Sequence, residues 1–389
     1  MRGRMRRGSL GLMRLGGAVA LILSLALVLP SGRATVLAML LVPHFFPGST
    51  LRPLRWVTGA PVVETVTVAK APGRLTADIY RPDGRERAPA MILFLGVNPL
   101  PRSHDQVRML ADGLARSGIV TVVAESDALL NGEVRREEID NLVALFQQVE
   151  VDTQVDPSRV GFVGFCIGAV MTLMAASDAR IADRVAFVNA FSVYADLREV
   201  IRSMLSESVA GNGQRERWIP DQMTRSVLVR HLIDALPDQQ DRQSLTREFL
   251  DGPDQSQSRL TAWGQSVRQL LMSHDVESVD RSLAALPSEL LHQLDALSPS
   301  NVVGGLRATT FLMHDENDSL LPVTEARKLA SLMPESTRGG YSEFRLFAHV
   351  VPGQTDGPAQ MIPEMAKLIQ HVSRLLQTVK YDPVRGSST

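Results

Sequence analysis

The chain has 389 residues, 44% of them hydrophobic and 21% charged, with a formal net charge of −1. That is a globular composition, long enough for one large domain or two ordinary ones, and it lacks the basic excess of a surface that tracks phosphates, so no nucleic-acid partner is expected. A single cysteine excludes an internal disulfide and any Cys-based zinc centre, and with no His-Glu-x-x-His and no evident histidine cluster neither a metal nor another cofactor is expected.

The N-terminus differs from the rest. Arg2, Arg4, Arg6, Arg7 and Arg14 precede the apolar run 15–30, and a second apolar run, 34–46, follows Ser31-Gly32-Arg33. A spanning helix needs about 20 residues, which residues 9–30 supply if Arg14 snorkels. Residues 1–50 therefore read as an N-terminal membrane anchor, single-pass, with the arginines holding the N-terminus in the cytoplasm and the following domain outside. Cleavage near Gly32-Arg33-Ala34 is the alternative.

From Pro61 the chain reads as a folded domain. Residues 62–68 and 75–80 alternate as strands do, and Arg81-Pro82-Asp83-Gly84 makes a turn. Continuous apolar strands at 90–95, 119–124, 159–164 and 184–191 are separated by helices at 106–116, 136–149 and 167–176. Between 196 and 301 the periodicity is helical, with apolar stripes at 227–236, 266–272 and 290–297 and no convincing strand. Strands resume at 309–313 and 343–347, with helices at 323–332 and 359–379. This order predicts an α/β fold: a mostly parallel sheet with helices on both faces, formed by residues 61–195 and 302–380, interrupted by a helical cap insertion at 196–301. In the cap, Met223, Val227, Leu228, Val229, Leu232, Ile233, Trp263, Leu270, Leu271 and Met272 supply apolar surface, for a substrate pocket or for the cap's own core.

The only cysteine sits in Gly164-Phe-Cys-Ile-Gly168, after a strand and before a helix. A nucleophile on such a turn is held in a strained conformation above the sheet edge, and small residues two before and two after relieve crowding. The helix start supplies free N–H groups and a positive dipole end. A thiol needs a histidine as base, and the histidine an acid to orient it; around this turn they follow in the order acid, histidine. After strand 309–313 comes His314-Asp-Glu-Asn-Asp318, and after strand 343–347 comes His349. Asp318 and His349 thus meet Cys166 at the C-terminal sheet edge, where open α/β folds bind ligands. Asp315 and Glu316 are the other candidate acids, and His314 reads as a packed loop residue. The oxyanion donors expected are the Ile167 N–H and that of Gly96 or Val97.

Through "DPSRVGFVGFCIGAV", "FLMHDENDSLLP" and "FAHVV", residues 61–379 resemble the α/β-hydrolase fold and within it the dienelactone hydrolase family. The resemblance implies a Cys-His-Asp triad that opens cyclic esters, with those roles on Cys166, His349 and Asp318. It departs after the third strand, where many such enzymes carry His-Gly or His-Glu and this chain reads Leu95-Gly96-Val97-Asn98. The insertion at 196–301 is foreign to small family members.

The expected activity is cleavage of a carboxylic ester, lactone or thioester through an acyl-cysteine, by a membrane-anchored enzyme with a small-molecule substrate. Two other readings compete. The Gly-x-Cys-x-Gly turn also resembles that of polyhydroxyalkanoate synthases, which are acyltransferases. A catalytically dead hydrolase-fold binding protein is the non-enzymatic alternative.

Overall fold

The computed structural model describes residues 28–46, 48–68, 75–84, 86–97, 100–211, 213–252, 259–353 and 357–382. Eight strands form one sheet in the order β1-β2-β4-β3-β5-β6-β9-β10. They are β1 (Val62–Thr67), β2 (Leu75–Arg81), β3 (Ala88–Phe94), β4 (Val120–Ser126), β5 (Val155–Phe165), β6 (Phe187–Phe191), β9 (Thr309–Asp315) and β10 (Arg338–Phe344). The β1/β2 and β2/β4 pairs are antiparallel and the rest parallel. Helices cover both faces, which is why the central strands read as unbroken apolar runs. On one face lie α3 (Glu137–Glu150) and α4 (Ile167–Ala176). On the other lie α1 (Pro30–Leu41), α2 (Asp105–Arg116) and the last helix, α12 (Pro358–Lys380). The alternation in β1 predicts a half-buried strand, yet its side chains are mostly exposed on both sides, as its place at the sheet edge allows.

The second apolar run, expected to belong to the anchor, packs on the body of the domain. Residues 30–45 form α1 and a 3-10 turn, Val42–Phe45. Ala34 and Ala38, one turn apart on one face, are completely buried, and Thr35 Oγ1 lies 2.8 Å from Ser373 Oγ of α12. Residues 30–45, which precede the expected start at 61, thus share the core of the described domain. The span expected at 9–30 lies almost wholly outside the described residues. Among the described residues no helix is long and apolar enough to cross a membrane.

Between β6 and β9 the chain forms α5 (Leu197–Leu205), α6 (Gln222–Asp234), α7 (Gln239–Thr246), α8 (Ala262–Leu271), α9 (Val276–Ala284) and α10 (Ser288–Asp295). One feature escapes the periodicity: a hairpin of β7 (Ser208–Ala210) and β8 (Arg215–Arg217), too short and polar to signal itself. The expected strand at 343–347 sits earlier in the structure, as β10. The residues after it make a second small hairpin, β11 (Phe347–Ala348) with β12 (Val351–Pro352), and His349 occupies its tip. Helix α11 (Val323–Leu332) matches its expected bounds.

Candidate active site

Cys166 is the residue between β5 and α4, with φ 54° and ψ −132°. The two flanking glycines are required by space. A Cβ on Gly164 would stand 2.4 Å from Ala169 Cα, and one on Gly168 would stand 2.5 Å from the Phe94 carbonyl oxygen. The turn is thus pressed between the helix behind it and the end of β3. Among the described non-glycine residues four have positive φ, and three of them, Cys166, Ser192 and His349, sit together here. Such conformations cost about 1–3 kcal/mol each and persist where surrounding structure enforces them.

Asp318 and His349 are brought together as expected. His349 Nδ1 donates to Asp318 Oδ2 at 2.8 Å. The carboxylate is almost fully buried and well supplied with donors. Oδ1 accepts from Leu320 N at 2.7 Å and Leu321 N at 3.1 Å. Oδ2 also accepts a short hydrogen bond from Ser192 Oγ, and His314 Nε2 lies 3.4 Å from it. Burial alone would raise this acid, but the His349 bond and the two imidazoles outweigh it and hold Asp318 at about 2. Because an ionised carboxylate only accepts, the hydrogen of His349 resides on Nδ1 and Nε2 is left for other work. That Nε2 is buried and has no hydrogen-bond partner among the described residues. Cys166 acts on this ring beside Asp318, and both Cys166 and His349 line one cavity. Burial would lower His349; negative charge on Cys166 and the bond to Asp318 reverse this and raise it to about 10.

Asp315 does not meet His349. Its Oδ2 accepts from Leu346 N at 3.0 Å and Phe347 N at 2.9 Å, so it holds the hairpin that carries the histidine. Glu316 is paired with Arg345 at the surface. His314 is packed and fully buried, its Nε2 3.0 Å from the Leu321 carbonyl, as expected of a packed residue. Ser192 was not predicted. It follows β6, and its Oγ lies 3.0 Å from His349 Nδ1 as well as bonding Asp318. In the sequence its only distinction is a position just past a strand at the same sheet edge.

Ile167 is the first residue of α4, so its N–H has no intrahelical acceptor. Gly96 lies against the same turn: a Cβ there would stand 2.9 Å from Cys166 Cβ and 3.2 Å from Ile167 N. Two cavities meet at Cys166. The larger, about 340 Å³, passes between the sheet and α2, α12 and α1. The smaller, about 80 Å³, lies under the insertion, against Tyr194, Val227 and Leu228. The apolar surface of the cap therefore splits. Met223, Val227 and Leu228 reach a cavity, whereas Leu232, Ile233, Leu270 and Leu271 are packed in the core and Met272 is half exposed.

This mostly parallel sheet, with an acute turn at Cys166 after β5, is consistent with the α/β-hydrolase fold. Residues 76–203 match the model of the Dienelactone hydrolase family, a stretch that contains Cys166 and Ser192 but ends before Asp318 and His349. A search of curated proteins found no match. Similar solved structures include an acylaminoacyl peptidase of Pyrococcus horikoshii, at 11% identity and TM-score 0.48 over 85% of this chain and 43% of that one. A Pyrobaculum calidifontis esterase follows at 15% identity and TM-score 0.47, covering 90% of each chain. Est1E from Butyrivibrio proteoclasticus has 12% identity and TM-score 0.47, covering 81% of this chain and 98% of that one. The chain spans about two fifths of the length of the acylaminoacyl peptidases it matches.

Proposed function

We propose that the protein hydrolyses a carboxylic ester or thioester through an acyl-Cys166 intermediate. The observation that carries this reading is the state of His349: Nδ1 is fixed by Asp318 and Ser192, Nε2 has no hydrogen-bond partner among the described residues, and the ring lines the same cavity as Cys166. The proton of the Cys166–His349 pair rests on His349, and the sulfur attacks the carbonyl carbon. The Ile167 N–H, with one from Gly96 or Val97, receives the oxyanion. On collapse the C–O or C–S bond to the leaving group breaks, and His349 returns the proton to the departing oxygen or sulfur. Water, deprotonated by His349, then attacks the thioester, releasing the acid and restoring the Cys166–His349 pair with its proton on His349. Asp318 keeps the imidazole in the required tautomer and stabilises its charged form.

Turnover of p-nitrophenyl esters by the full chain, beside Cys166→Ala with its fold checked by circular dichroism, tests this. Loss of turnover is expected; unchanged turnover would end the proposal. Membrane attachment is part of the same reading and rests on the sequence of residues 1–30. Carbonate-resistant sedimentation of the full chain with membranes is expected, and full extraction by carbonate would remove it.

A further inference from the structure

We propose that the larger cavity is a channel for one straight, uncharged acyl chain, entered beside Cys166 and closed at the far edge of the sheet. This rests on the hydrolase reading above and names the substrate class for it.

Three independent ladders give the depth. On the sheet wall, Met91 pairs with Gly161 and Val163 with Asn189. Cys166 lies three residues beyond Val163 and five beyond Gly161, so at about 3.3 Å per residue the wall descends about 10 Å at Val163 and about 16 Å at Met91. On α12, Leu368, Val372 and Leu376 line the same space from one helix face, over about 12 Å at 1.5 Å per residue. On α2, Gln106 to Leu114 spans about 12 Å in the same way. The direction is fixed as well. At its C-terminal end α12 is tied to the start of β5 by Arg159 and to the end of α2 by the Lys380–Ser117 contact. Leu376 and Leu114 are therefore the deep end and Leu368 and Gln106 the mouth. Leu41 and Phe45 of the N-terminal element complete the wall.

The size and chemistry select the occupant. About 340 Å³ falls within the range of small-molecule sites, about 300–1,000 Å³. Spread over this depth, that volume is a channel rather than a chamber, and it suits one extended chain. Among the described residues lining it there is no Asp, Glu, Lys or Arg. Its buried polar pair is already bonded: His371 Nε2 lies 2.8 Å from Asn189 Oδ1, and Nδ1 lies 2.9 Å from Ser342 Oγ. Burial also lowers His371 to about 4, so this wall is neutral at physiological pH. The recess under the insertion is left for the leaving group.

The test is the chain-length profile of the full-length protein on p-nitrophenyl esters from acetyl to hexadecanoyl. As methylenes enter the channel, kcat/KM is expected to rise about fourfold per group and then level off. Val372→Phe, halfway down, should move the optimum to shorter chains, and Leu376→Phe, at the bottom, should move it less. Val372→Ala should move it to longer chains, which a misfolded variant would not do. A flat profile, or one that none of these changes moves, overturns the channel. Binding of a fluorescent fatty acid to the full-length Cys166→Ala protein separates the two levels of the argument. Cys166-dependent turnover with a flat profile and no binding leaves the hydrolase reading standing and removes the channel. Binding that Val372→Phe weakens, without turnover of any ester, keeps the channel and removes the hydrolase reading.

Discussion

Met91 and Ile92 are neighbours in β3, both buried, and they face different interiors. Ile92 points to the face covered by α3 and α4, where Phe94, Phe146 and Phe162 are fully buried, with the Phe146 and Phe162 ring centroids 5.6 Å apart. Met91 points to the face covered by α1, α2 and α12, and lines the 340 Å³ cavity. The same sheet is filled on one side and hollow on the other. The filled side backs the Cys166 turn: α4 begins there, and its crowding against Gly164 keeps Cys166 strained. The hollow side gives a substrate room to lie along the strands. The proposed reaction needs both, because rigidity behind Cys166 and space before it cannot come from one packing layer.

Four experiments probe this division. The largest effect belongs to the edge where the two sides meet. Asp318→Asn puts an amide donor against His349 Nδ1 and drives the ring hydrogen to Nε2, so kcat should fall about 10⁴-fold while the fold remains, measured by ester turnover beside circular dichroism. Next come the two faces themselves. Ile92→Ala should cost about 2–5 kcal/mol in urea unfolding. Met91→Ala should fall at the low end of that range, since its surroundings are already incompletely packed. Equal costs would mean that the hollow side is as well filled as the other.

A smaller effect lies at the joint with the insertion. Glu325 Oε2 accepts from Ala195 N at 3.1 Å and Asp196 N at 2.8 Å, and burial raises this acid to about 7. An acid raised on folding favours the native state only while protonated, so its contribution is present below its unfolded value and is lost between about pH 4.5 and 7. Glu325→Gln should therefore match the wild type at low pH and be more stable above pH 7, by at most about 3 kcal/mol. The subtlest test follows His349. Its raised value contributes stability that is complete below about 6.5 and is lost as pH rises through about 10. Cys166→Ala removes a leading cause of that rise, so the His349 titration followed by NMR should move to lower pH. An unmoved titration would separate the two side chains.

Most of the sheet and the nucleophile turn are legible in the sequence, for stated reasons. Strands buried on both faces read as apolar runs, and Gly164 and Gly168 are glycines because no side chain fits. Asp318 and His349 are legible because each follows a strand at one sheet edge. Ser192 is not: a serine after a strand is common, and only the three-dimensional meeting with Asp318 gives it a role. Asp315 resembles a candidate acid in sequence and turns out to hold the Leu346 and Phe347 amides, a distinction set by side-chain direction. The second apolar run reads as membrane segment because hydropathy does not distinguish lipid from the surface of α12. The hollow face is invisible for a related reason. Continuous apolar strands do not reveal which alternate residues pack and which line a space.

The most direct test is intact mass spectrometry of the full-length protein, quenched during reaction with a dodecanoyl ester, beside Cys166→Ala and His349→Ala. A dodecanoyl adduct that maps to Cys166, turns over in the wild type, accumulates in His349→Ala and is absent from Cys166→Ala is the predicted result. Turnover that persists in Cys166→Ala, or an adduct on any other residue, would contradict the account.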